Sequence, residues 1–470
     1  MSASSPDQPG RYRILQKFAY LISARGVRGV LEAVFLLYLA RHSTTTFGEF
    51  TLALGLGSIL LTVSEFGLNV PLVTLLARKD RQPGEALGQV ALLKGLLLAL
   101  AALGALVFLE MQGYSPPLRR LMLLLALAVA LDALSKTFFV ALQVQGRQDL
   151  QGTLCALAAA FGFGYGLLAL VLGAPPLAVA AYKLIESLIN LVGGLWLALS
   201  QQQFRPVWPP VRRLWRTLRL GAVFGLIEVT AITYNKANIF FLQRYAGADA
   251  VAQYGAAWGL VDGVSSQVSS LLLQAILYPL FVQLWEKDRD QMPRLAQNTA
   301  RWLMAGALVA MFFLFLESDR LIPLLVGPRY PEAIWLQKVL VVTVAFAFLH
   351  NLAAFLMISM GLARQLLIFY LIGLAVNLLW CSLVIPAKPL LGSALAMVVT
   401  KGGVAALTVG FCQWRLGLLP KKPFLHLAEA ALTGVVFYLL TIAHLPREVA
   451  EALALAPILV LAFYWWRSER

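Results

Sequence analysis

The sequence has few charged side chains for its length. Only 13% of its 470 residues are Asp, Glu, Lys or Arg, whereas 60% are hydrophobic. A soluble domain carries about 25% charged residues, because its surface must face water. The composition therefore excludes a soluble globular protein and indicates a chain that lies largely within a membrane.

Cysteine and histidine are also scarce, with three and four residues. The cysteines, Cys155, Cys381 and Cys412, fall within apolar runs and form neither a disulfide framework nor a metal-ligand spacing. We predict no cofactor and no metal site. His350 is the one histidine well inside an apolar run, and we interpret it as a satisfied core residue rather than a proton relay.

Acidic residues are outnumbered, with 23 Asp and Glu against 38 Lys and Arg. Such an excess can mark nucleic-acid binding, but no basic stretch stands apart from an apolar run. In membrane proteins, Lys and Arg collect in cytoplasmic loops. We therefore expect membrane lipids, and no nucleic acid, as partners of these basic residues.

Long apolar runs follow one another along the whole chain. About twenty apolar residues cross the roughly 30 Å hydrocarbon core of a bilayer, and a signal peptide would supply one run only. The runs predict an all-α, multi-pass membrane protein of about fourteen transmembrane helices. They lie near residues 14–40, 48–77, 86–110, 118–145, 151–172, 177–200, 217–243, 251–284, 298–317, 333–360, 365–385, 390–414, 424–443 and 449–466.

The loops between these runs are short, and most basic residues fall on one side when the N-terminus is placed in the cytoplasm. An even number of helices then puts both termini there, in a bacterial inner membrane. Tight reversals are expected at GAPP (173–176) and PAKP (386–389), because proline cannot continue a helix. No loop is long enough for a folded extramembrane domain.

The two halves of the chain resemble each other. LLYLARHSTTTFGEFTLALGLG (36–57) aligns with IFFLQRYAGADAVAQYGAAWGL (239–260), and ALQVQGRQDL (141–150) with MISMGLARQL (357–366). The copies are six helices apart and run in the same direction, which predicts two lobes related by an axis along the membrane normal. We predict a cytoplasmic tail (1–13), an N-lobe (14–200), a basic cytoplasmic linker (201–216), a C-lobe (217–415) and two C-terminal helices with a tail (416–470).

Several charges lie within the predicted helices, where each ionised side chain is unfavourable by about 2.5 kcal/mol or more. Such residues are expected to face protein or water. Helical spacing predicts three pairs that neutralise each other: Arg28–Glu32, Asp132–Lys136 and Lys183–Glu186. Lys94 and Lys183 lie nearer the helix ends and could extend to the interface.

Four basic residues lie deep within the predicted helices, and their acidic neighbours do not neutralise all of them. We predict that these four bind an anionic substrate: Arg25, Arg28, Lys236 and Lys401. Arginine suits phosphate, which it binds through two N–H groups. Glu65, Glu228 and Asp262 are candidates for coupling transport to an ion, because burial favours protonation of a carboxyl. For each of the three, a structural role in an ion pair is the competing interpretation.

The sequence resembles the multidrug/oligosaccharidyl-lipid/polysaccharide exporter superfamily and, within it, the bacterial polysaccharide-biosynthesis flippases. The resemblance covers about residues 15–415. Its motifs are YLARHSTTTFGEFTLALGLG (38–57), SEFGLNVPLVTLLAR (64–78), NIFFLQRYAGADAVAQYGAAWGLVDG (238–263) with YPLF (278–281), and GLARQLLIFYLIGLAVNLLWCSLVIPAKPLLGSALAMVVT (361–400). These motifs identify a fold better than a substrate.

The resemblance implies a carrier that moves undecaprenyl-diphosphate-linked oligosaccharide between leaflets for cell-surface polysaccharides such as lipopolysaccharide or exopolysaccharide. It also implies two six-helix lobes and a cationic central cavity, with polysaccharide polymerases or glycosyltransferases as possible partners. Related lipid II flippases have two extra C-terminal helices and arginines in the first helix, which Arg25 and Arg28 match. Other arginines of those flippases have no counterpart here, which argues against lipid II itself.

Other functions remain open at this point. A multidrug exporter of the same superfamily would need an anionic cavity for cationic drugs. A membrane-embedded glycosyltransferase or ligase would need larger loops with external carboxylates. A structural subunit of a biosynthetic complex would not need so many deep charges.

Overall fold

The computed structural model describes residues 26–77, 83–200 and 204–468, and every regular element in these ranges is a helix. In chain order they are α1 (26–42), α2 (Thr44–Glu65), α3 (Asn69–Ala77), α4 (Pro83–Met111), α5 (Pro116–Val144), α6 (Gln148–Val171), α7 (Pro176–Ser200), α8 (Val211–Val268), a π-helical segment (Ser269–Leu277), α9 (Tyr278–Lys287), α10 (Met292–Leu316), α11 (Ser318–Val326), α12 (Pro331–Leu340), α13 (Thr343–Ser359), α14 (Ala363–Val384), α15 (Pro389–Leu416), α16 (Lys421–Thr441) and α17 (Arg447–Ser468). The all-α prediction is confirmed.

The described residues contain eleven helices that are long and apolar enough to cross a membrane, or twelve if the bent pair α12–α13 is one span. The exact number of fourteen is not confirmed. The difference falls at two places. The first predicted helix is described only from residue 26, and the stretch 211–287 passes as one long span although the backbone is not helical at Gly247 (φ 78°).

Proline and glycine set several helix boundaries as the sequence predicts. The GAPP reversal separates α6 from α7, which begins at Pro176, and the PAKP reversal separates α14 from α15, which begins at Pro389. Ser43 precedes α2, and its hydroxyl accepts a hydrogen bond from Thr46 N at 3.2 Å. α8 begins at Val211, within the predicted linker 201–216, and the linker itself stays a prediction.

By its packing the chain divides into two compact units, Met1–Ala252 and Gln253–Arg470. The boundary lies inside α8, five residues after Gly247. The predicted lobe limits at 200 and 217 stay a prediction.

In the first unit, α5 packs against α2, α4 and α7. Small residues allow close contact: a Cβ on Gly57 would lie 3.1 Å from Ala126 Cα. An aromatic cluster fills the space between α1, α2 and α7, where the ring of Phe35 lies 4.2 Å from Tyr182 and 6.5 Å from Phe50. Close packing of this kind holds membrane helices together where lipid supplies little hydrophobic drive.

In the second unit, α13 and α14 pack on α15, and α10 packs on α13. The C-terminal helices α16 and α17 pair with each other and lie against α10. Trp302 of α10 meets Trp465 of α17 edge-on at 6.0 Å, and the guanidinium of Arg301 lies 4.7 Å from the Trp465 ring. These contacts attach the last two helices to the rest of the unit.

Candidate functional site

Arg28 of α1 is held by carboxylates from two other helices. Its Nη2 donates to Asp132 Oδ2 of α5 at 3.0 Å, and its Nε lies 2.6 Å from Glu186 Oε1 of α7. Glu186 is fully buried and also receives Lys183 Nζ at 2.8 Å. We call these four residues the Arg28 cluster. The arrangement joins three helices through ion pairs within the membrane-spanning part of the unit.

The Arg28 cluster corrects two of the predicted pairs. Arg28 and Asp132, which were expected to pair with Glu32 and Lys136 on their own helices, pair with each other instead. Packing of α5 against its neighbours brings opposite charges from different helices closer than the i, i+4 partners. The Lys183–Glu186 pair is confirmed. Arg25 lies outside the described residues.

Arg28 is also the group in this cluster that reaches solvent-accessible space. Its side chain is 27% exposed, against 9% for Asp132 and none for Glu186. Within the described part of the chain, no hydrogen bond from its Nη1 is formed. One edge of the guanidinium fork is thus directed away from its carboxylate partners.

A second group of charges surrounds a break in the helix pair α2–α3. Lys136 Nζ of α5 lies 2.8 Å from Glu65 Oε1, at the end of α2. Lys94 of α4 is fully buried and donates to Asn69 Oδ1 of α3 at 2.7 Å and to the Ala133 carbonyl at 3.0 Å. The interpretation that Lys94 extends to the interface is therefore wrong: its ammonium lies inside the unit.

The break itself is fixed by backbone geometry. Phe66 (φ 38°) and Gly67 (φ 65°) are left-handed, and Phe66 is the one non-glycine residue with positive φ in the described chain. The turn lies directly against α8, where a Cβ on Gly67 would be 2.6 Å from the Gly225 nitrogen. Non-helical backbone at membrane depth is found where it is buried in protein or lines a cavity.

Glu228 and Lys236 lie further along α8 in the same unit. Glu228 is exposed and is within electrostatic range of Glu65, Lys136 and Lys94. Lys236 is half-buried, and its Cδ would be 3.9 Å from a Cβ placed on Gly55 of α2. The structure thus places four of the predicted site residues in the first unit: Arg28, Glu65, Glu228 and Lys236.

Lys401 and Asp262 lie in the second unit and contact each other. Lys401 Nζ is 3.2 Å from Asp262 Oδ1 and 4.4 Å from the centre of the Trp258 ring. Asp262 is thus the acidic partner of Lys401 in the described residues, and a role of Lys401 in substrate binding stays a prediction. Trp258 and Asp262 are four residues apart on one helix, and this i, i+4 spacing was the sequence signal for a cation site that the prediction missed.

His350 is satisfied in the core, as the sequence predicts. Its Nδ1 is 3.1 Å from Thr408 Oγ1, and its Nε2 is 3.0 Å from the Tyr370 hydroxyl. These contacts use both ring nitrogens, so the histidine needs no substrate or ion to explain its position.

A family model described as polysaccharide biosynthesis protein matches residues 14–285. No curated protein sequence matches the chain.

Solved structures show the same fold at low sequence identity. A structure of the lipid II flippase MurJ in an inward closed conformation aligns with a TM-score of 0.73 and 12% identity, over 96% of this chain and 99% of that one. An inward-facing multidrug resistance MATE family transporter of the MOP superfamily aligns with a TM-score of 0.64 and 13% identity, over 84% and 96%. A MOP superfamily transporter from Pyrococcus furiosus aligns with a TM-score of 0.56 and 13% identity, over 86% of this chain and 95% of that one.

The family match covers more than half of the chain and includes the Arg28 cluster and the break between α2 and α3. The fold match extends over nearly the whole chain, including α16 and α17. The chain belongs to the polysaccharide biosynthesis protein family, and its fold is that of the multidrug/oligosaccharidyl-lipid/polysaccharide exporter superfamily.

Proposed function

We propose that the protein moves an undecaprenyl-diphosphate-linked oligosaccharide from the cytoplasmic to the periplasmic leaflet of a bacterial inner membrane. Both termini lie in the cytoplasm, and transport proceeds by alternating access. No bond is made or broken, so the protein is a carrier and not an enzyme. The family match and the shared fold support the class of function, and the charges within the first unit support the substrate class.

The observation that carries the proposal is the pairing of Arg28. Its carboxylate partners keep the guanidinium in place while no substrate is bound, since an unpaired charge at this depth would be strongly unfavourable. The open Nη1 edge is available to a phosphate oxygen, and a diphosphate competes with Asp132 for Nη2. Glu186 keeps Lys183 as a partner when Arg28 is withdrawn.

The other site residues remain predictions within this proposal. Arg25, Lys236 and Lys401 are candidates for contacts with the diphosphate or the sugars. Glu65, Glu228 and Asp262 are candidates for ion coupling, and the pairing of Glu65 with Lys136 and of Asp262 with Lys401 equally fits a structural role. Glu228 is exposed, so it is the first of the three to test for coupling.

The proposal is tested by binding undecaprenyl diphosphate to the purified protein in detergent, followed by native mass spectrometry. We expect saturable binding to the wild type and a loss of about tenfold in affinity for Arg28→Ala, because a charge-assisted hydrogen bond contributes about 1.5–3 kcal/mol. Arg119→Ala is the matched control, since Arg119 pairs with Glu110 at the ends of α4 and α5. Equal binding by both variants, or none by the folded wild type, contradicts the assignment.

One observation favours a second candidate, the export of cationic compounds. Around Arg28, three carboxylates (Asp132, Glu186 and Glu32) face two cations (Arg28 and Lys183) among the described residues. An acidic surplus attracts cations. Binding of tetraphenylphosphonium in the same assay, lost on Asp132→Asn and without any binding of undecaprenyl diphosphate, would establish this alternative.

A further inference from the structure

The first turns of α8 present a cluster of exposed arginines. Arg212, Arg213, Arg216 and Arg219 are all exposed, and none forms an ion pair with the residues that the structure describes. The first acidic residue after them is Glu228. This concentration of unneutralised positive charge lies where α8 enters its apolar span.

Helical spacing puts three of these arginines opposite the face that packs into the unit. Arg212, Arg216 and Arg219 follow one another at i, i+4 and i+7 and share one face. Leu214 and Leu218, on the other side, pack against a buried cluster that includes Leu87 and Leu93 of α4. The orientation of the arginine face is therefore fixed by the core of the first unit.

Hydrogen bonds to α4 hold the same segment in place. Gln89 Nε2 donates to Thr217 Oγ1 at 2.6 Å and to the Arg213 carbonyl at 3.3 Å. The Arg205 amide donates to the Gly84 carbonyl at 3.1 Å, and Gly88 leaves no room for a side chain, because its Cβ would be 2.1 Å from the Arg205 oxygen. The basic face is thus preformed.

Two exposed tryptophans flank the arginines. Trp208 is 89% exposed and Trp215 is 66% exposed, and Trp215 lies on α8 beside Arg212 and Arg216. Tryptophan is enriched at the level of lipid headgroups, where its ring is apolar and its N–H is polar. A basic surface with tryptophans at the end of a membrane-spanning helix has the composition that anionic headgroups bind.

We propose that residues 208–219 form a binding site for anionic phospholipid headgroups, with the four arginines binding the phosphates and the two tryptophans lying at the headgroup level. The site is separate from the Arg28 cluster, and its existence does not depend on the transported substrate. Arginine can hold a phosphate through two parallel hydrogen bonds, which gives the site a preference for anionic lipid over a zwitterionic one.

The test titrates purified full-length protein in detergent with phosphatidylglycerol or phosphatidylcholine and counts lipid adducts by native mass spectrometry. We expect phosphatidylglycerol to bind more tightly to the wild type. The variant with all four arginines changed to Gln should lose about tenfold in affinity for phosphatidylglycerol. The matched control removes four other exposed basic residues, as Lys287→Gln, Arg415→Gln, Lys421→Gln and Lys422→Gln, and should bind as the wild type does.

Three results would overturn the proposal. One is equal binding of the two lipids by the wild type, and another is an equal loss in the site and control variants, which would make the effect one of net charge. The third is displacement of phosphatidylglycerol from the wild type by undecaprenyl diphosphate, which would assign the surface to the transported lipid. If the quadruple variant does not fold, the double variant Arg212→Gln, Arg216→Gln replaces it. Its affinity for phosphatidylglycerol should fall about threefold.

Discussion

The two units of the protein differ in where they place their ion pairs. Apart from Arg119–Glu110 at helix ends, the first unit places its described ion pairs inside the membrane-spanning part, where the Arg28 cluster joins α1, α5 and α7. The second unit has the Lys401–Asp262 pair within its spans but gathers more of its pairs at helix ends, between α11 and α17. The ion pairs of the two units therefore serve different purposes.

At the helix ends of the second unit, charges fasten one element to another. Arg447 at the start of α17 contacts both oxygens of Asp319 at 2.6 Å and donates to Glu451 at 2.6 Å. Arg320 contacts Glu448 at 3.0 Å. These groups are partly exposed to water, where an ion pair contributes little and its loss is tolerated. An ionised side chain within the span is unfavourable, and the proposed function gives the charges of the Arg28 cluster a role in binding.

The largest expected effect is the loss of the buried carboxylate of the Arg28 cluster. Glu186→Gln leaves Lys183 and Arg28 with weakened neutralisation, and removal of one partner from a buried pair lowers the free energy of unfolding by about 3–5 kcal/mol. Denaturant unfolding in detergent measures the change. Glu448→Gln is the control, because Glu448 is 69% exposed and water screens its pair with Arg320, so its loss should change stability much less. Equal losses in both variants would remove the distinction between the two units.

The next effect concerns the helix break of the first unit. Gly225→Ala places a Cβ 2.6 Å from the carbonyl carbon of Phe66, so the turn at 66–68 must move, and we expect stability to fall by about 1–3 kcal/mol. Gly259→Ala, also on α8 but in the second unit, has no atom within 4 Å of the new Cβ. It should leave stability unchanged or raise it by about 0.5–1 kcal/mol. Thermal unfolding of the two variants gives the difference.

The sequence predicts the fold class well, because long apolar runs indicate membrane helices and prolines mark helix boundaries without reference to distant residues. The reversals before Pro176 and Pro389 and the all-helical architecture follow from such signals. The break after Glu65 was not predicted, because Phe66 is not a residue that normally adopts a left-handed conformation. Its position depends on the close approach of Gly225 on a distant helix, which no local pattern reports.

Only part of the candidate site could be predicted from the sequence, because some of its ion pairs are local and others join distant helices. The Lys183–Glu186 pair lies on one helix and could be inferred from spacing. The Arg28–Asp132 pair joins residues 104 positions apart, so it depends on how α1 and α5 pack. The apolar runs show which charges lie in the membrane, but tertiary packing determines which of those charges form ion pairs.

A smaller effect tests whether Asp132 competes with substrate for Arg28. Asp132→Asn keeps the size of the side chain but removes the charge, so Arg28 becomes more available, and affinity for undecaprenyl diphosphate should rise about fivefold. Asp319→Asn is the matched change in the second unit, where it releases Arg447, which is not among the proposed substrate contacts. Binding measured by native mass spectrometry should rise in the first variant only. An equal rise in both variants would make the effect one of net charge and would contradict competition between Asp132 and the substrate.

The smallest expected effect is the acid dependence of the helix-end pairs. The hydrogen bonds from Arg447 lower the pKa of Asp319 to about 2, from an ordinary value of 3.8. Because the folded value is the lower one, the contribution of Asp319 is complete above about pH 4 and is lost as the pH falls toward about 2. Asp319 is 43% exposed, so this contribution is ~1 kcal/mol or less.

Unfolding of Asp319→Asn followed from pH 5 to pH 2 (roughly the range of carboxylate titration) should therefore be less pH-dependent than that of the wild type. Glu317→Gln is the control of opposite sign. The pKa of Glu317 is raised by its hydrogen bond with Glu451, so its stabilising contribution is present in acid and lost as the pH rises. Parallel curves for Asp319→Asn and the wild type would mean that this pair does not fasten α17 to α11. The attachment of α17 would then depend on the other contacts described above, which are Trp302–Trp465, Arg301–Trp465 and Arg320–Glu448.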